Sequence, residues 1–500
     1  MTKEKEYKRI IRERLSDTVF SGYIPELGRH ISGKVRDVHF TSDKIGSEIV
    51  MVSSDRVSCF DHVLSRQIPF KGKVLNKLTR WAFKNTEDIV KNALIRTPHD
   101  NVLVQKRMKK IPVEFVVRGY VWGSMAEEYE KGKREFCGID LPDGLLRYQK
   151  LEKPLFTPAT KEEFGEHDIN VSFEHVADMI GEKLATRLRD ISIKLYERAS
   201  QLAAKKGMIF IDTKYEFGLD ENDEIHLIDE ANTPDSSRYA RIEEYDKYDR
   251  IEAEMKSNKY KDVTELIRKK PELKVAELSK QFVRDVLVEG GFSGYSGEGS
   301  IPDLKDDDVV ETSWRYISLY EELTGETFDF GSRSDIRADL IHALACEGLI
   351  TGALVVIVAG SDSDRQHVQK IRSELEKYGI PSLARVCSAH KQPAACMEMV
   401  ENYNSSIEPM AVISIAGGTD ALSGVLSFHS LHPVISCPPG DDHASCLHNP
   451  PGSSNSLILR PKNAARHCAQ ILGIGRDTIL EQNQQKVKKL IEADETWQVQ

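Results

Sequence analysis

From Leu354 onward, short continuous apolar runs alternate with amphipathic segments, and few architectures accept that pattern. Leu354-Val-Val-Ile-Val358 is apolar at every position, which suits a strand covered on both faces. Ser363–Tyr378 follows with apolar residues at helical spacing. Ala384–Val386, Met410–Ile415 and Val434-Ile435 read as further strands, and Gln392–Tyr403 as another helix. Such alternation predicts an α/β doubly wound parallel sheet, flavodoxin-like with three layers. The expected domain spans 353–476, after a linker at 331–352 and before a polar helical tail at 477–500.

A sheet of this kind presents ligands to the carboxyl ends of its strands. The first strand leads into Gly360-Ser361-Asp362-Ser363-Asp364. A helix N-terminus there offers free N–H groups to a phosphate monoester, and plain N-capping by Ser and Asp competes with that reading. The second strand delivers Ser388-Ala389-His390-Lys391, where His390 is an acid/base candidate. The third ends in Gly417-Gly418-Thr419-Asp420 and the fourth in Ser436-Cys-Pro-Pro439. His443 and His448 read as loop histidines rather than metal ligands.

Residues 1–240 mix strands and helices without regular alternation and 241–330 carry charged residues at helical spacing, which predicts an α+β domain over 1–330. Its densest chemistry is Asp212-Thr-Lys214-Tyr-Glu216-Phe-Gly218, then Asp229-Glu230. Met208–Ile211 and Glu224–Ile228 read as strands joined by turn residues Asp220-Glu-Asn-Asp223, hence a β-hairpin. Period-two alternation puts Asp212, Lys214 and Glu216 on one face, with Asp229 close to Glu216. Two converging carboxylates suit a hard divalent cation such as Mg2+ bridging ATP phosphates, and a solvated charged hairpin is the competing reading. Val102–Lys106 and Val113–Arg118 look like a strand pair, and Arg118 with Ser124 is a cradle for a carboxylate or phosphate. Helices are expected at Val275–Glu289, Glu311–Leu323 and Asp335–Gly348, with a loop over Gly290–Asp308.

The 500 residues allow two to four domains, and 40% hydrophobic with 30% charged residues is an ordinary globular balance. A net charge of -10 argues against nucleic acid as a bulk partner. The eight cysteines form no CxxC pair, so a zinc ribbon or redox motif is not expected. The apolar run near Leu349–Gly360 is too short for a membrane span. The first residues lack a signal-peptide core, and a cytoplasmic protein is expected.

Over roughly residues 15–328 the ordered motifs resemble the SAICAR synthetase (phosphoribosylaminoimidazole-succinocarboxamide synthase) family. They are Gly33-Lys34-Val-Arg36, Ser54-Asp55-Arg56 through Phe60-Asp61, Val117-Arg118-Gly with Gly123-Ser124, and Phe156-Thr-Pro-Ala-Thr-Lys161. Gly165-Glu-His167-Asp168, the hairpin motif, Asp229-Glu230 and Thr233-Pro-Asp235-Ser236-Ser-Arg238 complete the set. The resemblance implies an ATP-dependent ligation of a ribotide carboxylate (CAIR) with L-aspartate through an acyl phosphate. It implies Glu216 and Asp229 as Mg2+ ligands, and Gly33, Lys34, Lys106 and Lys214 facing ATP. Arg118, Ser124, Asp235, Ser236 and Arg238 would hold the ribotide, and Asp212 would position Lys214 or the substrate amine.

Residues 353–474 resemble the AIR (aminoimidazole ribotide) carboxylase family. The resemblance implies Ser361, Asp364, Ser388, Lys391 and Gly418 around ribotide and CO2. His390 would move the proton released from the ring, and Lys391 would neutralise the new carboxylate. Lys391 with Ile435-Ser-Cys-Pro-Pro439 looks like the animal-type form, which takes CO2 directly and needs neither biotin nor ATP. The stretch Gly418–Gly424 and the polar Gly440–Asn449 depart from the pattern. Together the two resemblances imply consecutive steps of purine biosynthesis in one homo-oligomeric chain, an octamer by analogy. The alternative is another ATP-dependent carboxylate–amine ligase with a non-catalytic C-terminal oligomerisation domain.

Overall fold

The computed structural model describes residues 2–60, 62–160, 169–257, 259–292, 301–331, 335–440 and 444–498. Asp61, Lys161, Gly165–Asp168 and His443, named above, lie outside the described residues. The chain divides into two compact units: one holds 1–20 and 31–336, the other 21–30 and 337–500.

The first unit contains two antiparallel-rich sheets. In the five-stranded sheet, β1 (Arg29–Ser32), β2 (Arg36–Phe40) and β3 (Glu48–Ser53) are followed in the chain by helix α1 (Lys71–Lys84), β4 (Leu94–His99) and β5 (Val102–Lys106). The spatial order is β1-β2-β3-β5-β4. The second sheet is built around β6 (Val113–Tyr120), β7 (Met208–Leu219), β8 (Ile225–Ile228) and β9 (Ser237–Arg241), with α2 (Gly123–Glu130) and α3 (Glu182–Ala204) between β6 and β7. The predicted pairing of Val102–Lys106 with Val113–Arg118 does not form. β5 pairs with β3 and β4 in one sheet, and β6 with β7 in the other. Both runs carry strand propensity, and propensity does not encode the partner.

The hairpin forms as expected, with its first strand extending through the charged motif to Leu219 and Glu216 opposite Ile228. Inward positions of this sheet pack into a core containing Phe115, Val117, Phe210, Tyr215, Phe217 and Leu227. The expected helix at Val275–Glu289 is shorter: α4 spans Gln281–Glu289. Ser279 Oγ accepts the Gln281 amide, so the chain before it is spent on a turn. The next helix, α5 (Asp306–Thr324), starts inside the predicted loop. Asp306, Asp307 and Asp308 in its first turn face the positive end of the helix dipole, and Gly325 closes it at φ 76°.

The second unit is the parallel sheet that the alternation required. Its elements are β10 (Leu354–Ala359), α6 (Arg365–Glu376), β11 (Ser382–Val386), α7 (Pro393–Asn404), β12 (Met410–Ile415), α8 (Ala421–His429), β13 (Val434–Ser436), β14 (Asn455–Leu457), α9 (Pro461–Leu472) and α10 (Arg476–Gln498). Strand order is β11-β10-β12-β13-β14, with every neighbouring pair parallel. Along β10, Val355, Ile357 and Ala359 enter one apolar layer while Leu354, Val356 and Val358 enter the other. That is why the run is apolar at every position. Chain order reverses between β10 and β12, and that crevice is the place for a ligand.

Candidate functional site

In the first unit, strand register builds the site. Arg118 on β6 is directly opposite Asp212 on β7, and Asp212 is opposite Arg238 on β9. Three adjacent strands therefore set cation, carboxylate and cation in one row. Arg118 Nη1 and Arg238 Nη1 both donate to Asp212 Oδ2, at 3.0 and 2.6 Å. Arg118 Nε donates to Thr157 Oγ1 at 3.0 Å and Nη2 to Ser124 Oγ at 3.5 Å. Gly123 makes room for this: at φ +57° its absent Cβ would stand 2.8 Å from Arg238 Nη1.

These groups line a cavity of about 160 Å³ that brings together Arg118, Asp212, Lys214, Asp235, Ser236 and Arg238 from the sequence reading. Ser124 joins it through Arg118. Asp235 is held from behind. Lys71 Nζ, fully buried, lies 2.8 Å from Oδ2, and the Tyr316 hydroxyl donates to Oδ1 at 2.7 Å. Burial works to raise the Asp235 carboxyl, but Lys71 and Lys280 outweigh it and hold it well below the ordinary range. Lys214 pairs with Glu114, not with Asp212. Burial pulls its ammonium down, and Glu114 and Glu216 more than reverse that, so it stays charged.

Sequence reasoning missed Ser279, Lys280, Gln281 and Arg284, which complete the cavity wall. The i, i+4 spacing of Lys280 and Arg284 was a usable signal, because it places both on one helix face. Burial lowers the Lys280 pKa, with Asp235 opposing and Arg284 assisting. Lys71 gave no signal, since one lysine in an amphipathic helix reads as solvated.

The remaining candidates do not line that cavity. Gly33 N–H donates to Arg36 O at 2.7 Å, and a Cβ on Gly33 would stand 2.8 Å from that oxygen, so this turn requires glycine. Lys34 on the turn is half-buried. Lys106 Nζ pairs with Glu221 at 3.0 Å. Glu216, 3% exposed, lies 2.5 Å from Lys110 Nζ and 3.8 Å from Lys214 Nζ. Asp229 accepts from Arg36 Nη1 at 2.9 Å, one residue past the end of β8 and at φ +61°. The two carboxylates are thus each neutralised by cations of the chain. Among the described residues Asp220, Glu224 and His226 also cluster, but the Asp220 carboxylate is already engaged by the amides of Asn222 and Glu224.

In the second unit, Ser361 caps the first turn after β10, accepting from the Ser363 amide and hydroxyl at 3.3 and 2.8 Å. Asp364 is buried at the crevice, and a Cβ on Gly417 would come 3.5 Å from its Oδ1. Burial raises the Asp364 carboxyl, with His367 opposing. His367 Nε2 meets the Cys437 carbonyl at 3.0 Å, joining α6 to the β13 edge. Ser388 Oγ accepts the Lys391 amide at 3.3 Å, and the His390 and Lys391 side chains are exposed. Gly418 has open space where a Cβ would go, so sterics there do not require glycine.

The comparisons with known proteins fall on the same two units. The SAICAR synthetase family model matches residues 29–277, and the AIR carboxylase family model matches residues 354–493. The phosphoribosylaminoimidazole-succinocarboxamide synthase of Flavobacterium psychrophilum is 40% identical over 298 residues, covering 59% of this chain and 87% of that protein. That of Thermobifida fusca is 41% identical over 318 residues, covering 61% and 94%. This chain belongs to the SAICAR synthetase family, with an AIR carboxylase domain fused behind it. A solved SAICAR synthase from Saccharomyces cerevisiae, complexed with SAICAR, is 30% identical with a TM-score of 0.50, covering 62% of this chain and 99% of that one. The Treponema denticola PurE structure is 36% identical with a TM-score of 0.28, covering 29% and 98%. The chain is a bifunctional enzyme of purine biosynthesis, both ligase and carboxylase, and the single-activity alternative is not favoured. Among the described residues no helix is long and apolar enough to cross a membrane.

Proposed function

We propose that the second unit carboxylates AIR with CO2 to CAIR, and that the first unit ligates CAIR to L-aspartate at the expense of ATP, releasing SAICAR. The observation that carries the ligase half is the Arg118–Asp212–Arg238 row in a cavity of about 160 Å³ that Lys280 and Arg284 also line. Two guanidiniums sharing one carboxylate are arranged to receive an anion, and bidentate contacts to phosphate suit arginine. Arg118, Ser124 and Arg238 hold the ribotide phosphate in this reading, with Ser236 and the anionic Asp235 beside it. Lys280 and Arg284 then face the remaining carboxylates.

ATP is assigned to the Gly33–Lys34 turn and the Lys106 strand, with Lys214 directed at its phosphates. Phosphoryl transfer is largely positioning and charge neutralisation, which lysines and a tight glycine turn supply. Glu216 and Asp229 are hard oxygen donors, the chemistry that fits Mg2+, and would hold it. When bound, the ion supplies charge neutralisation to the nucleotide phosphates. The substrate carboxylate takes the γ-phosphoryl as an acyl phosphate, and the aspartate amine displaces phosphate. Asp212 keeps the two arginines oriented throughout.

In the carboxylase half, Ser361, Asp364, Ser388 and the backbone at Gly418 hold the ribotide. His390 takes up the ring proton, and Lys391 neutralises the carboxylate that forms, without biotin. β11 is an open edge strand with Val386 57% exposed, and Leu431 nearby in sequence to α8 is 79% exposed. Such surface supports a homo-oligomer formed through this unit. A cytoplasmic location goes with these small-molecule substrates.

The test follows product absorbance in stages. Purified protein is given AIR and bicarbonate, then ATP, Mg2+ and L-aspartate. The expected result is a CAIR spectrum first and a SAICAR spectrum only after the second addition. A SAICAR spectrum formed from CAIR and aspartate without ATP, or none with both aspartate and ATP present, rejects the ligase assignment.

A further inference from the structure

At the amino-terminal edge of the parallel sheet, opposite the proposed ribotide site, lies a contact that catalysis does not use. The segment Ser21–His30 belongs to the second unit, although the chain on both sides of it belongs to the first. It is seated by backbone and side chain alike. The Ile407 amide donates to Tyr23 O at 3.1 Å, and the Glu26 amide donates to Glu408 Oε2 at 3.2 Å. The Thr351 amide and hydroxyl donate to the two Glu26 oxygens, at 2.8 and 3.0 Å. Within the segment, Ile24 and Leu27 are buried.

Glu408 is 1% exposed, and its Oε1 has no hydrogen-bond partner among the described residues. The Glu26 amide on its other oxygen brings the Glu408 and Glu26 carboxyl groups together. Two neighbouring carboxyl groups, one of them out of water with an unpartnered oxygen, favour keeping one proton between them. Among the described residues no lysine or arginine forms an ion pair with either carboxyl. Arg385 on β11 donates to the Tyr403 hydroxyl at 3.3 Å, and His432 meets the Tyr403 carbonyl. The other facing groups, Tyr23 on the segment and Tyr403 on α7, are phenols, with the His30 ring tilted by 39° against Tyr23 at 4.8 Å.

We propose that Ser21–His30 is a proton-operated latch on the C-terminal unit: it docks with one proton shared between Glu26 and Glu408 and lets go as that proton is lost. Released to solvent, Glu408 returns to the ordinary glutamate range. Docked, burial and then the Glu26 carboxyl raise it to about 9. Docking therefore takes up a proton between those two limits. Its stabilisation is full below the ordinary glutamate range and declines as pH rises toward about 9, by up to about tenfold in the docking constant per pH unit. Neutral pH lies inside that window.

The full-length protein tests this by native-state hydrogen exchange at the Ile407 and Glu26 amides, as protection factors corrected for intrinsic exchange. Between about pH 6 and 8 the opening constant is expected to rise up to roughly 100-fold, the two-unit limit of one released proton. Glu408→Gln, which keeps shape and removes the charge, should hold the segment closed with a flat profile. Glu26→Gln removes the second cause and leaves burial, so it should make the rise smaller than in the parent, and it decides the question if Glu408→Gln does not fold. A flat profile in the parent, or an unchanged slope in the folded variants, overturns the latch.

Discussion

The two proposed sites are built in opposite ways. The ligase cavity is assembled from buried charges that compensate one another: Arg118 and Arg238 on Asp212, Lys71 on Asp235, Lys214 on Glu114. The carboxylase site rests on backbone turns and hydroxyl caps, with His390 and Lys391 facing solvent. A site of buried ion pairs is held in shape by the cost of breaking any one pair. A site of exposed loops has no such restraint within one chain. The difference predicts that ligase variants lose stability and activity together, whereas carboxylase variants lose activity alone.

The largest effect is expected from Asp212→Asn. It leaves two buried guanidiniums facing each other, at a cost of about 3 kcal/mol or more, and it should lower ligase activity by about 100-fold or more while carboxylation continues. Denaturant unfolding beside both assays checks it, and a stable, ligase-active variant breaks the comparison. His390→Asn should lower carboxylation by roughly 100- to 10,000-fold, the usual worth of a positioned acid/base, with ligase activity and melting temperature unchanged. Equal carboxylation in variant and parent removes the catalytic assignment.

A pH experiment sharpens the contrast. Because Lys71 and Lys280 hold Asp235 below its ordinary range, its contribution is fully present above the unfolded value of about 3.9 and is lost only as pH falls beneath it. Lys71→Met removes the cation facing Oδ2, so the acid-unfolding midpoint of the first unit should move upward, while that of the second stays put. The smallest effect is expected at Gly123. Gly123→Ala places a Cβ on Arg238 in a left-handed conformation, costing about 1–2 kcal/mol and raising the ribotide KM several-fold with kcat nearly kept. A neutral result there would show that Arg238 is free to move.

Much of this was readable in the chain. Apolar continuity in Leu354–Val358 requires burial on both faces, and the turn residues Asp220–Asp223 fix the hairpin register that sets Glu216 beside the end of β8. Asp212, Lys214 and Glu216 share a face because a strand has period two. The partners of these charges were not readable. Asp212 pairs with Arg118 and Arg238, 94 and 26 residues away, and Lys214 with Glu114 at a separation of 100. The shortened α4 shows the same limit from the other side, since its helical spacing was visible and its start was set by a local serine hydrogen bond.

Local periodicity, turn chemistry and ordered motifs were enough to name two folds and two enzyme families, because each depends on neighbours in sequence. Which strands share a sheet, which cation meets which carboxylate, and the seating of Ser21–His30 against Glu408 were settled only in three dimensions. Those choices depend on burial and on partners far along the chain, and burial decides whether a charge is solvated, paired or protonated.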